Sequence, residues 1–181
     1  VIEAARDLFV ERDYDRVSIG EILERSGVSR GALYHHFATK LDLFVAVYKA
    51  SETRVIGQLA ERMAGSSSPF EALLDGARAY LRLCETDEEF RRIGLTQSRA
   101  VLGWERWRTA ASELGIAVVL ALVNAAIEAG ELPPHDPETV AQILLGALIE
   151  AAMLIVTAED RAAARERSES VIVALLEGLR T

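Results

Sequence analysis

Apolar residues recur at three- and four-residue steps along almost the whole chain. In the first segment Ile2, Ala5, Leu8 and Phe9 share one helical face, with Glu3, Arg6, Asp7 and Arg12 between them. No stretch alternates as a half-buried strand does, and no Asn-Gly or Asp-Gly hairpin joins two such stretches. The pattern therefore predicts an all-α chain, without the repeat that would mark a solenoid.

Capping residues divide it into helices. Ser18-Ile19-Gly20-Glu21 reads as a capping box, the Ser hydroxyl serving the third helical amide and the Glu reaching back. Gly27 is placed to take the left-handed conformation that ends a helix. Ser29 then caps a short helix, and Thr39 caps a longer one running to about Met63. In Gly65-Ser66-Ser67-Ser68-Pro69, Ser68 and Pro69 open the next helix, with Glu71 at its third position. Further helices are predicted over 70–84, 88–101 and 103–129. After a break at 130–135, Asp136-Pro137 opens a helix to Thr157, and the last spans 160–179. That makes nine helices, three of the first four being short.

Residues 18–37, SIGEILERSGVSRGALYHHF, place two short helices around a glycine-centred turn, the helix-turn-helix pattern. Ile19, Ile22 and Leu23 face inward, Val28 fills the turn, and Leu33 and Phe37 anchor the second helix. That leaves Ser29, Arg30, Gly31, Ala32, Tyr34 and His35 outward. A glycine inside a helix costs about 1 kcal/mol relative to alanine. Small residues at 31 and 32 make sense where a DNA major groove comes close.

Composition adds a contrast. The 181 residues carry a net charge of −8, which argues against a general nucleic-acid coat. Yet from Arg25 to Leu41 there is no acid, while Arg25, Arg30 and Lys40 make that stretch net positive, with His35 and His36 beside them. A local reversal of this kind is a phosphate footprint. The other reading of the stretch is a solvated basic face on a structural helical hairpin. One cysteine excludes an internal disulfide and a cysteine-rich zinc site, and three histidines leave little for a metal centre. Half the residues are hydrophobic, as in an ordinary globular protein. The chain opens on Val1 within a helical pattern, which predicts further residues upstream, and nothing at its start reads as a signal peptide.

Tyr14-Asp15, Val17-Ser18, Gly27-Val28-Ser29, Gly31, Leu33-Tyr34-His35-His36-Phe37 and Lys40 with Leu43 resemble the TetR (tetracycline-repressor-like) family of bacterial transcription regulators. The resemblance covers about residues 1–48. It implies a DNA-binding domain over 1–48 and a ligand-binding and dimerisation domain over 49–181. It also implies a cytoplasmic homodimer that binds palindromic operator DNA as a repressor and releases it when a small apolar ligand enters the C-terminal domain. Carried over by position, Arg30 reads a base edge, Tyr34, His36 and Lys40 hold phosphate, and Ser18 caps the first motif helix and donates to a phosphate. The full candidate DNA-binding set is Ser18, Ser29, Arg30, Gly31, Ala32, Tyr34, His35, His36 and Lys40. Gly20 departs from the family where a base-reading side chain sometimes projects. Leu23 departs where a small residue is usual, which sets the two helices slightly further apart.

The second half is acidic and apolar. From Val140 to Ala158 only Gln142, Glu150 and Thr157 are clearly polar. That run is long enough to span a membrane, but Glu150 and Gly146 interrupt it, and a helix buried on most sides is the expected reading. In the family the last two helices form a four-helix bundle with the partner subunit, and Val171, Ile172, Leu175, Leu176 and Leu179 supply the face here. Trp104 and Trp107 lie three apart on one helix face. Tyr80, Cys84, Trp104, Trp107, Asn124, Glu150 and Met153 form a candidate ligand lining, with ordinary core packing as the alternative for each. Asn124, Glu150, Gln97, Tyr80 and Cys84 are the expected buried polar groups.

No glycine-rich phosphate loop, G-x-S-x-G or H-E-x-x-H occurs, so no catalytic residue, metal or cofactor is expected. The alternative function is a small-molecule-binding helical protein with a degenerate DNA-binding head.

Overall fold

A computed structural model describes residues 1–180, with the side chains at 104, 108 and 111–114 outside that description. Every regular element among the described residues is helical: α1 (Ile2–Glu11), a 3₁₀ turn (Tyr14–Arg16), α2 (Ile19–Ser26), α3 (Arg30–His36), α4 (Lys40–Met63), α5 (Pro69–Thr86), a π-helical segment (Phe90–Gln97), α6 (Ser98–Leu102), α7 (Trp104–Glu128), α8 (Pro137–Thr157) and α9 (Arg161–Glu177). The all-α expectation is met.

The caps act as the sequence predicts. Ser18 Oγ accepts from the Glu21 amide at 3.2 Å, and the Ser18 amide donates to Glu21 Oε2 at 2.8 Å. Gly27 closes α2 at φ 67°, a left-handed conformation that glycine adopts without steric cost. Thr39 and Asp42 form the reciprocal pair at the start of α4, with both backbone amides satisfied by the other side chain. Ser68, Asp136 and Asp160 cap α5, α8 and α9, and Pro69 and Pro137 follow the first two of these. Each such cap contributes about 1 kcal/mol.

The chain forms two compact units, Val1–Arg54 with Glu88–Trp107, and Val55–Asp87 with Arg108 onward. In the first, Phe9, Tyr14 and Phe44 cluster with ring centroids 5.2–5.8 Å apart. Ile22 and Leu33 bury the inner sides of α2 and α3, while Ile19, Leu23, Val28 and Phe37 are only partly covered. The helix predicted over 88–101 is π-helical through most of its length. Gly94 lies at its middle, where an added Cβ would stand 2.6 Å from the Phe90 ring. The Gly94 carbonyl accepts from Ser98 Oγ at 2.5 Å and from Trp107 Nε1 at 3.3 Å. Gln97 Nε2 donates to the Phe9 carbonyl at 2.6 Å, tying this segment to the end of α1.

In the second unit α5, α8 and α9 pack against one another. Phe70, Leu74, Leu81, Cys84, Ile155 and Leu176 are in its core. Arg165 joins α9 to α5 by an ion pair to Glu85 at 2.6 Å, and is held in place by Glu169, one turn further along α9, at 2.5 Å. Glu131, in the turn before α8, accepts from the Phe70 amide at 2.9 Å.

Two expectations are corrected here. The helix over 137–157 is not buried on most sides: Ala141, Leu144, Ala151, Ala152 and Ile155 are its buried residues, and Ile143 and Leu154 are exposed. A helix apolar all round carries no periodic signal to say which side faces the core. The final helix does not present one common face either: Ile172 and Leu176 turn into the core, while Val171 and Leu175 turn outward.

Candidate nucleic-acid interface

The site is built on α3. Its first turn is held by Ser29, whose Oγ accepts from the Ala32 amide at 3.3 Å. In this seven-residue helix Leu33 is the buried residue. Ser29, Arg30, Gly31, Ala32, Tyr34, His35 and His36 are exposed, as is Ser18 at the head of α2. The rings of His35 and His36 meet edge-on at 5.2 Å between centroids. A Cβ added to Gly31 would meet nothing within 4 Å. No neighbour within the chain therefore requires a glycine there, and the missing side chain leaves room only for something outside.

The charges around α3 are sorted by their partners. Arg25 is paired with Glu11 at 2.7 Å, and Arg12 with Glu21, also at 2.7 Å. Both pairs clamp α1 to α2. Contact with the Ser18 amide and with Arg12 holds the Glu21 carboxyl down to about 2. Arg25 is therefore neutralised locally, and the positive footprint is narrower than the sequence stretch suggested. Arg30 stays exposed without an ion pair among the described residues. Lys40, the first residue of α4, is half-buried. Its Nζ donates to the Tyr14 carbonyl at 2.5 Å and lies 3.9 Å from the Tyr14 ring centroid. Burial lowers its pKa from the ordinary lysine value, against the pull of Asp15 and Glu21. An ammonium has three donors, so this anchor leaves others for a phosphate.

The candidate ligand residues fall in both units. Tyr80 and Cys84 lie one turn apart on α5, partly and fully buried, and Met153 is partly buried on α8. Trp107 is buried in the first unit, with the Arg99 guanidinium 4.9 Å from its ring centroid. The Trp104 side chain lies outside the described residues. Asn124 and Glu150 are exposed, which corrects the expectation that they are buried polar groups. The reason is again the uniform apolarity of their surroundings, which hides the outer face.

Gln97 and Cys84 are buried as expected, and α4 carries further buried polar groups that the sequence pattern did not single out. Tyr48, Ser51 and Glu52 lie within one turn of α4. Tyr48 Oη and Ser51 Oγ are buried without a hydrogen-bond partner among the described residues. A Cβ on Gly94 would stand 3.0 Å from Glu52 Oε1. Burial pushes the Glu52 carboxyl up to about 7, and the same burial, with the charge of Glu52, pushes the Tyr48 hydroxyl up. Spacing of three and four residues puts these groups on one face, but only the tertiary packing buries that face, with Gly94 beside Glu52. No group of three or more His, Cys, Asp or Glu among the described residues is placed to hold a metal.

Comparison with known proteins places this architecture. Residues 1–47 match the model of bacterial regulatory proteins of the tetR family, and residues 70–179 match a tetracyclin repressor-like C-terminal domain. The TetC protein of transposon Tn10 from Escherichia coli is 27% identical over 148 residues, 81% of this chain and 73% of that protein. The HTH-type transcriptional repressor AcnR of Corynebacterium efficiens is 31% identical over 100 residues, covering 50% of this chain and 52% of AcnR. The crystal structure of a TetR-family transcriptional regulator from Pectobacterium atrosepticum superposes with a TM-score of 0.88 at 29% identity, over 99% of this chain and 92% of that one. The chain belongs to the TetR family of bacterial transcriptional regulators. It is a helix-turn-helix DNA-binding protein, of a family whose C-terminal domains bind ligands.

Proposed function

We propose that this chain is a cytoplasmic, homodimeric repressor. Residues 1–48 read one half of a palindromic operator, and residues 49–181 bind a small apolar effector and dimerise. The observation that carries the DNA reading is the bare outer face of α3. Arg30 projects beside Gly31, whose Cβ position is open, and Tyr34, His35 and His36 continue the exposed face. Arg30 reads a guanine edge, while Tyr34, His36, Lys40 and Ser18 set the register on phosphates. Ser29, Ala32 and His35 complete the surface. The repressor AcnR, similar over half the chain, supports the sign of regulation.

One α3 reads too few base pairs to select a single genomic site, and a two-fold copy doubles them. The exposed apolar residues of α8 and α9 support that assembly. Tyr80 and Cys84 on α5, with Met153 on α8, lie in one unit whose helices pack together, which suits an effector of low charge. Such an effector releases the operator by binding the DNA-incompetent shape more tightly. The reading includes no enzymatic activity and no membrane insertion.

The test is selection of bound duplexes from a randomised pool by the intact protein. An inverted repeat, with half-sites about one helical turn or a multiple apart, is the expected product. Selection of a single asymmetric site in a 1:1 complex would overturn the reading.

A further inference from the structure

Four of the six exposed large apolar residues among those described lie on the last two helices: Ile143 and Leu154 on α8, at 66% and 58% exposure, and Val171 and Leu175 on α9, at 59% and 51%. Two exposed charges share these faces. Glu150 lies seven residues after Ile143 and four before Leu154, and Arg167 lies four residues before Val171. Residues four and seven apart stand on one side of a helix. Neither charge makes an ion pair with a described residue, so the chain folds without using them.

Their heights match. α8 ends at Thr157 and α9 begins at Arg161, so the two helices, packed together, run antiparallel. Counted from the middle of that turn, Glu150 is level with position 168, within about 1.5 Å of Arg167 along the axis. α8 contains no basic residue. On α9, Arg165 is committed to Glu85 and Glu169, and Arg161 sits beside the turn, well away from the level of Glu150.

We infer that Glu150 of one copy pairs with Arg167 of a second copy, twice across the two-fold, and that this pair fixes the register of an otherwise uniform apolar dimer face. The inference rests on the homodimer proposed above. Covering the face removes Glu150 from water, and a carboxylate so covered needs a cation and hydrogen bonds at its own level. A two-fold axis passing through that level supplies both partners at once, because in such an interface each contact occurs twice. The apolar residues alone would tolerate sliding along α8. A charged layer between Leu154 and the level of Ile143 and Leu175 does not, and it also rejects related chains with the opposite arrangement.

The test is charge exchange in the intact protein. Glu150→Arg, Arg167→Glu and the double variant are compared with wild type by sedimentation equilibrium over a dilution series, with circular dichroism checking the fold. Both positions are exposed in the single chain, so all four proteins are expected to keep wild-type helicity. Each single variant places like charges together and is expected to weaken dimerisation at least tenfold. The double variant restores opposite charges and is expected to return within about threefold of wild type. Single variants that dimerise like wild type, or a double variant no better than either single one, would overturn the pair while leaving the dimer face in place. A wild-type protein that stays monomeric throughout would overturn the dimer face itself, and the pair with it.

Discussion

Lys40 Nζ donates to the Tyr14 carbonyl and rests against the Tyr14 ring, 3.9 Å from its centroid. The first residue of α4 is thereby locked to the 3₁₀ turn that precedes the helix-turn-helix, and the same ammonium is a candidate phosphate ligand. Lys40→Ala removes both roles. It is expected to lower the stability of the first unit by about 1–3 kcal/mol, from a charge-assisted hydrogen bond and a cation–ring contact. It is also expected to weaken binding to all DNA sequences alike and to reduce the salt dependence of affinity by about one phosphate contact. Urea melts and fluorescence anisotropy at several salt concentrations measure the two effects.

Arg30 and Gly31 separate base reading from helix stability. Arg30→Ala should cost about 1–3 kcal/mol in operator affinity and relax preference at one base position. Gly31→Leu should do the opposite to the fold. Its Cβ meets nothing within the chain, and leucine is the better helix former by up to about 1 kcal/mol. The variant is expected to melt higher and to lose operator binding, because the new side chain fills the space left for the groove. A Gly31→Leu protein with full operator affinity would remove Gly31 from the interface.

The buried carboxyl on α4 makes stability depend on pH. Glu52 titrates near 7 in the folded chain against 4.5 for an ordinary glutamate, because burial disfavours its charge. The folded state therefore holds a proton that the unfolded state has released. No cost arises below about 4.5, and stability falls as pH rises through 7, by at most about 3 kcal/mol in all. Glu52→Gln removes the titration. It should be more stable than wild type at pH 8 and equal to it near pH 4, below the unfolded-state value, as read from urea midpoints at the two pH values.

Neighbouring leucines on α9 answer different questions. Leu176 is 2% exposed within its own chain, so Leu176→Lys buries an unpaired charge and should unfold the second unit. Leu175 faces outward, so Leu175→Lys should keep the fold and yield a monomer without tight operator binding. Circular dichroism and light scattering on the two variants separate these outcomes.

The sequence by itself determined what depends on neighbours a few residues away. The box at Ser18, the cap at Thr39, the Ser68-Pro69 and Asp136-Pro137 starts and the left-handed Gly27 depend on a side chain and nearby backbone, and are legible from spacing alone. The exposed face of α3 was legible for the same reason, since only Leu33 and Phe37 could anchor so short a helix. Tertiary structure decided whatever required knowing which side of a helix meets another. It paired Arg25 with Glu11 and so withdrew one cation from the footprint. It buried Tyr48 and Glu52, brought Glu52 up to Gly94, and gave residues 90–97 their π pitch. It turned Glu150 and Asn124 outward. On α8 apolar residues occupy every face, so periodicity carries no direction there, and the side left exposed is set by α9, folded back after a short turn, and by α5, which lies far away along the chain.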